Sequence, residues 1–224
     1  MLIMRRLYKP FPVSGQTKLE QLDYLRRTVN ICQNCPNLVA TRTQTVLGEG
    51  NPDAQLLFVG EAPGLAEDLQ GRPFVGRAGK LLDLLIRRAG FTRKQVWLAN
   101  AICCRPDTAL GEANRPPSNA EIKECLPYLL AQIQIVQPKV IVALGNSAMD
   151  ALLWDMDHER GQVYDYHGIY LVTTYHPAYV LRNPTVQVRA ALWEHFLCAL
   201  DLLGIPITDQ LIERAPSAMD VEKL

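Results

Sequence analysis

The sequence predicts an α/β domain of three layers, with helices on both faces of a parallel sheet. Two observations carry this. Four short runs, at residues 55–60 (QLLFVG), 96–100 (VWLAN), 139–145 (KVIVALG) and 169–175 (IYLVTTY), are almost continuously apolar. Strands buried on both faces have that pattern, whereas half-exposed strands alternate. Helical periodicity separates and surrounds the runs, and alternating strands and helices give this layered class.

In chain order, a helix is expected at 19–31, followed by the first strand. The next helix, 80–89 (KLLDLLIRRA), has an apolar stripe ended by Gly90, a common stop signal. After the second strand, Pro106 to Pro117 reads as a long loop. The helix at 119–136 starts at an Asn or Ser cap and stops before Pro138. Helices at 146–154 and 188–203 complete the set. Residues 1–204 read as one domain, and 205–224 as a loosely held tail.

The 224 residues are 48% hydrophobic and 21% charged, which suits one soluble globular domain with a sizeable core. No apolar run reaches membrane-spanning length, and the first residues lack a signal-peptide core. A cytoplasmic protein is expected. Lys plus Arg and Asp plus Glu both number 23, so overall charge does not advertise nucleic acid. A local basic patch would suffice, and Arg72, Arg77, Lys80, Arg87, Arg88, Arg93 and Lys94 fall close together. Most of them read as a solvated helix face.

Open α/β sheets bind ligands beyond the carboxyl ends of their strands. Here the four runs lead into Glu61, Asn100, Gly145-Asn146-Ser147 and His176. A carboxylate, an amide and an imidazole on one rim suit a small planar ligand that hydrogen-bonds along its edge. The segment from Gly60 to Gly79 (GEAPGLAEDLQGRPFVGRAG) is dense in glycine but carries neither phosphate-binding nor dinucleotide-binding spacing. Within it Phe74 lies between Pro73 and Val75. It reads either as a core residue or as a stacking surface for a base.

Six cysteines in a cytosolic chain suggest metal or catalysis rather than disulfides. Cys32 and Cys35 form C-x2-C, and Cys104 and Cys125 are candidates for the other half of a four-thiolate site. Zinc and [4Fe–4S] both accept such a set. Spacing alone does not choose between Cys103 and Cys104. Cys198 lies on an apolar helix and reads as a core residue.

Taken together, GEAPGLAEDLQGRPFVGRAG, NAICCRP, LGNSA and YHPAYVLRNP resemble the family-4 uracil-DNA glycosylases, the iron–sulfur members of their superfamily. The resemblance spans roughly Cys32 to Pro184. It implies an α/β/α sandwich around a central four-stranded parallel sheet, a [4Fe–4S] cluster, and uracil-containing DNA as substrate. The same resemblance makes Cys32, Cys35, Cys104 and Cys125 the cluster ligands, with extra residues at 108–113 lengthening the loop between the last two. It places Glu67 near uracil C5, where it excludes thymine, Phe74 as the stacking aromatic and Asn100 as reader of the uracil edge. His176 becomes the donor to uracil O2. Glu61 becomes the carboxylate that positions water or steadies the cationic sugar. Residues 179–183 (YVLRN) match the loop that enters the duplex, with Leu181 and Arg182 as wedge candidates. A monomer without an obligatory protein partner is expected. Two other readings stay open: a glycosylase for hypoxanthine or another damaged base, and a non-catalytic DNA-binding relative.

Overall fold

The computed structural model describes residues 9–106, 114–218 and 220. The expected insertion at 108–113 lies outside them.

Among the described residues the sheet has six strands, in the order β1-β3-β2-β4-β6-β5. Its centre is the four expected strands, β3 (Trp97–Asn100), β2 (Leu56–Gly60), β4 (Val140–Leu144) and β6 (Ile169–Thr174), all parallel. The other two run antiparallel at the edges, β1 (Glu49–Gly50) against β3 and β5 (Val163–Tyr166) against β6. The sheet therefore has six strands where four were expected. The edge strands lack the buried apolar signature: β1 has two residues, and β5 leaves its first three at least partly exposed.

Alternation along the central strands divides the core. Leu57, Val59, Trp97, Ala99, Ile141, Ala143 and Leu171 face α1 (Lys18–Asn30), α5 (Asn119–Val136) and α6 (Asn146–Leu152). Leu56, Phe58, Leu98, Val140, Val142 and Val172 face α4 (Arg77–Arg88) and α8 (Val186–Leu202). Both faces are covered, which is why these strands read as unbroken apolar runs.

Local chemistry sets the helix ends. Thr17 and Ser118 cap α1 and α5, each in a reciprocal capping box with the glutamate three residues on. Gln137 ends α5 in the left-handed conformation, just before Pro138. Short helices occupy stretches that the sequence reading left without one, among them α2 (Pro36–Val39), α3 (Leu65–Gln70) and α7 (Pro177–Arg182). Both α2 and α7 start on a proline, whose fixed φ suits the first helical position.

Within the segment expected as a loosely held tail, described residues 205–215 make contacts with the domain. Helix α9 (Asp209–Ile212) buries Leu211, and Ile205 and Ile207 pack on the same core. Trp193 Nε1 donates to Ile212 O at 3.2 Å, and Arg88 donates to the carbonyls of Arg214 and Ala215 at 2.7 and 2.6 Å. Three spaced apolar residues supply enough burial to hold a segment whose periodicity is too short to announce a helix. Among the described residues, no helix is long and apolar enough to cross a membrane.

Candidate functional site

The register of the sheet sets the rim. Gly60 pairs with Asn100, and Leu144 pairs with Thr174. Glu61, Asn100, Gly145 and His176 therefore leave the sheet at one level. Asn100 is buried, and among the described residues its side-chain amide has no hydrogen-bond partner. The amide's polar atoms keep some open surface, so a ligand at the rim can reach them.

Gly60 shows how tightly the rim is drawn. A Cβ there would lie 2.5 Å from Asn100 Oδ1 and 2.5 Å from Phe74 Cζ. The Phe74 and His176 rings lie 6.4 Å apart, inclined by 27°, and a Cβ at Gly145 would lie 2.8 Å from His176 Cβ. Phe74, Asn100 and His176 thus converge on one point. Beside them, Ser147 Oγ donates to Glu61 Oε2 at 2.6 Å. Among the described residues, Glu61 Oε1 receives no hydrogen bond.

Phe74 is both of the things its sequence context allowed. Its side chain is buried in the core cluster, and its ring tip borders the rim. Its φ is +55°, a left-handed conformation that costs a non-glycine residue about 1–3 kcal/mol. The neighbouring backbone is held by Glu67. That carboxylate accepts from Val75 N and Gly76 N at 2.8 Å each, and from Gly64 N at 3.1 Å. Three amides occupy it, so Glu67 organises the loop. Asp68 ties the same helix to the chain before it by accepting from Thr43 N at 3.0 Å.

His176 caps α7. Its Nδ1 accepts from Ala178 N at 3.1 Å, so the ring proton resides on Nε2. Burial, with Arg182 adding to it, pushes the ring's pKa down to about 4. The ring is densely surrounded yet keeps part of its surface open. The result is a neutral imidazole that donates from Nε2.

The thiols of Cys32, Cys35, Cys104 and Cys125 line one small cavity, with Leu38, Arg42 and Tyr128 among its walls. They come from the end of α1, the turn before α2, the segment after β3, and α5. Arg42 Nη1 donates to Cys104 Sγ at 3.0 Å and Nη2 donates to Cys32 O at 2.7 Å. Tyr128 OH donates to Cys32 Sγ at 3.5 Å, and Cys103 N donates to Cys125 Sγ at 3.2 Å. Burial pushes the thiols of Cys35 and Cys104 up to about 11, despite Arg42 beside the latter. Cys103 also neighbours Cys125 but belongs to the core between sheet and α5, away from the cavity wall.

Among the described residues, no three His, Cys, Asp or Glu side chains are set around a single metal ion. A mononuclear site draws its ligands to one point. A four-iron cluster takes one thiolate on each iron, so its thiols surround a larger core. Four thiols line one small cavity, Cys104 buried and the other three half-buried, and a donor set of four thiols suits the second pattern by its chemistry.

Leu181 and Arg182 separate. Leu181 is half-buried against the core on the α4 and α8 side of the sheet, whereas Arg182 is exposed. Of the two wedge candidates, Leu181 thus sits partly tucked at the rim. Tyr179 on the same helix is 40% exposed. Arg160, stacked 4.2 Å over Tyr175, donates to Asn146 Oδ1 at 3.0 Å and adds a cation to the rim. An apolar cavity of about 540 Å³ lies elsewhere, between Leu126, Ile133, Pro138, Trp154 and Tyr166 at the amino ends of β4 and β6. It shares no residue with the rim.

Ser147, Arg42 and Arg93 carry contacts that sequence alone did not assign. Ser147 was visible only as part of a strand end. The two arginines act through partners far along the chain.

The chain matches the Uracil DNA glycosylase superfamily over residues 47–197. It is 42% identical to a type-4 uracil-DNA glycosylase of Thermotoga maritima over 183 residues, 80% of this chain and 92% of the relative. It is 39% identical to the type-4 uracil-DNA glycosylase of Saccharolobus solfataricus, across 85% and 90% of the two chains. A type-5 uracil-DNA glycosylase of Thermus thermophilus is 30% identical over 57% of this chain.

Proposed function

The chain belongs to the uracil DNA glycosylase superfamily and, within it, to the type-4 uracil-DNA glycosylases, and from that premise we infer that it releases uracil from DNA by hydrolysing the N-glycosidic bond. The observation that carries this reading is the meeting of Asn100, Phe74 and a neutral His176 on one rim.

The target base must leave the stack first, at a cost of a few kcal/mol. Phe74 stacks on the extruded base and Asn100 pairs with its edge. Glu67, pinned by three amides, forms a wall beside C5 that cannot yield to the methyl group of thymine. As the bond breaks, the sugar becomes cationic and uracil carries negative charge towards O2. His176 Nε2–H donates to that charge from a fixed position, so little reorganisation is needed at the moment of reaction. Ser147 fixes one oxygen of Glu61. The other oxygen orients water or steadies the sugar cation. Arg160 and Arg182 supply phosphate contacts.

Cys32, Cys35, Cys104 and Cys125 hold a [4Fe–4S] cluster. When bound, it supplies a cationic centre that takes the thiols as thiolates. Its part is to fasten the end of α1 to the segment after β3 and to α5. Arg42 and Tyr128 orient the sulfurs through the hydrogen bonds described above.

The test is single-turnover base release from a set of oligonucleotides carrying uracil opposite guanine, uracil opposite adenine, uracil in single strands, thymine or hypoxanthine. Uracil release without thymine release is expected. Preferential release of hypoxanthine overturns the assignment of base, and tight binding without any release overturns the assignment of activity.

A further inference from the structure

The Phe74 platform stands in a backbone conformation that few non-glycine residues adopt, with φ at +55°. Glu67 holds the chain on its downstream side through the amides of Val75 and Gly76. On the upstream side the two carbonyls are held by a residue outside every recognised motif. Arg93 Nη1 donates to Phe74 O at 2.9 Å, and its Nη2 donates to Pro73 O.

The guanidinium is itself fixed. Arg93 Nη1 lies 3.1 Å from Asp83 Oδ1 on α4, and Arg93 Nε lies 3.8 Å from Glu49 Oε1 on β1. The side chain is only 19% exposed, and Nε has no hydrogen-bond partner within the described residues. A solvated lysine-like role does not fit a planar fork spread over two consecutive carbonyls. Nineteen residues separate Arg93 from Phe74, so this is a tertiary brace from the turn before β3.

We propose that Arg93 is the positioning residue of the stacking platform, holding the Pro73 and Phe74 carbonyls so that the Phe74 ring stays beside Asn100. The proposal rests on the reading of Phe74 as the surface that stacks on the flipped base. Arg93 itself touches no substrate. Its effect on excision passes entirely through Phe74.

A double-mutant cycle reads that dependence. Arg93→Met is expected to slow single-turnover uracil release about tenfold, and Phe74→Ala more than that. The double variant is expected to be no slower than Phe74→Ala alone. Arg93→Lys, which keeps the charge but cannot span both carbonyls, is expected to recover little. Amide hydrogen exchange at residues 74–76 is expected to accelerate in Arg93→Met while exchange in the central strands stays unchanged. Independent, multiplicative losses in the double variant overturn the proposal, as does unchanged exchange at 74–76. Should Arg93→Met fail to fold, Arg93→Lys takes its place in both measurements. If the wild-type protein releases no uracil, the functional reading fails, while the exchange comparison still decides whether Arg93 braces the loop.

Discussion

The sharpest test of the rim concerns the proton on His176. Nδ1 already accepts from the Ala178 amide, so the neutral ring has one tautomer, with its proton on Nε2. The pKa falls from the ordinary 6.5 to about 4 through burial, with Arg182 contributing. At 1.36 kcal/mol per pH unit, this difference is about 3 kcal/mol in favour of the neutral form. Partial exposure of the ring reduces the figure without reversing it. The sign follows directly. Above pH 5 the native ring is neutral and α7 keeps its cap. As pH falls through about 4, Nδ1 gains a proton, opposes the Ala178 N–H, and the cap is lost. An unfolded chain takes that proton near pH 6.5, so His176 makes the protein less stable as pH falls between 6.5 and 4. His176→Ala removes one preorganised donor, and such a loss costs about 2.7–4 kcal/mol of transition-state stabilisation, or 10²–10³ in rate. The assay is single-turnover release of uracil from pH 4 to 8, paired with an NMR titration of the ring. The wild-type rate should not respond to His176 between pH 5 and 8, and His176→Ala should lie two to three decades below it at pH 7. A ring that titrates near 6.5 refutes the neutral-donor argument, as does an alanine variant within about fivefold of wild type.

Gly60→Ala places a methyl group 2.5 Å from both Asn100 Oδ1 and Phe74 Cζ; excision is expected to fall at least tenfold while thermal unfolding shifts little, and full activity would show that the two side chains do not share the pocket. Cys104→Ala is expected to bleach the visible absorbance near about 400 nm expected of such a cluster, whereas Cys103→Ala leaves it; the reverse result reassigns the ligand. Glu67→Gln keeps the shape but supplies only one carbonyl oxygen for three amides, so discrimination between uracil and thymine should narrow, as read by thymine release under excess enzyme.

The centre of the sheet was legible because burial on both faces imposes a continuous apolar run. Leu56–Gly60 and Val140–Leu144 are buried at every position. The edges were not legible, since β5 shares its pattern with any exposed turn. The rim could be read from residue type and strand end together. Asn100 and His176 are polar where the run stops, and register carries them to one level. Their neighbours followed less readily. Leu181 belongs to the segment matched to the loop that enters the duplex, and its side chain packs partly against the core. Six residues of α7 and a proline at its start fix that orientation, and no periodicity spans so short a helix.

The basic stretch shows where sequence reasoning ends for physical reasons. Arg72, Arg88 and Arg93 look alike along the chain, and a solvated face was the plain expectation for most of them. In the fold Arg72 takes both oxygens of Glu49 at 2.8 and 2.6 Å, Arg88 holds the tail, and Arg93 holds the Phe74 loop. These arginines are thus committed to protein partners, which weakens any argument that their number alone makes a DNA-binding patch. The cations beside the rim include exposed Arg182 and Arg160, the latter already shared with Asn146 and Tyr175. If Arg160 and Arg182 carry the phosphate contacts, charge at the substrate face comes from few residues beside the reacting centre. This is compatible with a chain whose formal net charge is zero. It also predicts a shallow salt dependence, since each phosphate neutralised contributes a slope of about 0.9 for duplex DNA and about 0.7 for single strands. A plot of log affinity for abasic-site duplex DNA against log salt should have a slope of about −2 to −4. A slope near −8 would require a wider basic surface and would return the Arg72–Lys94 stretch to the interface.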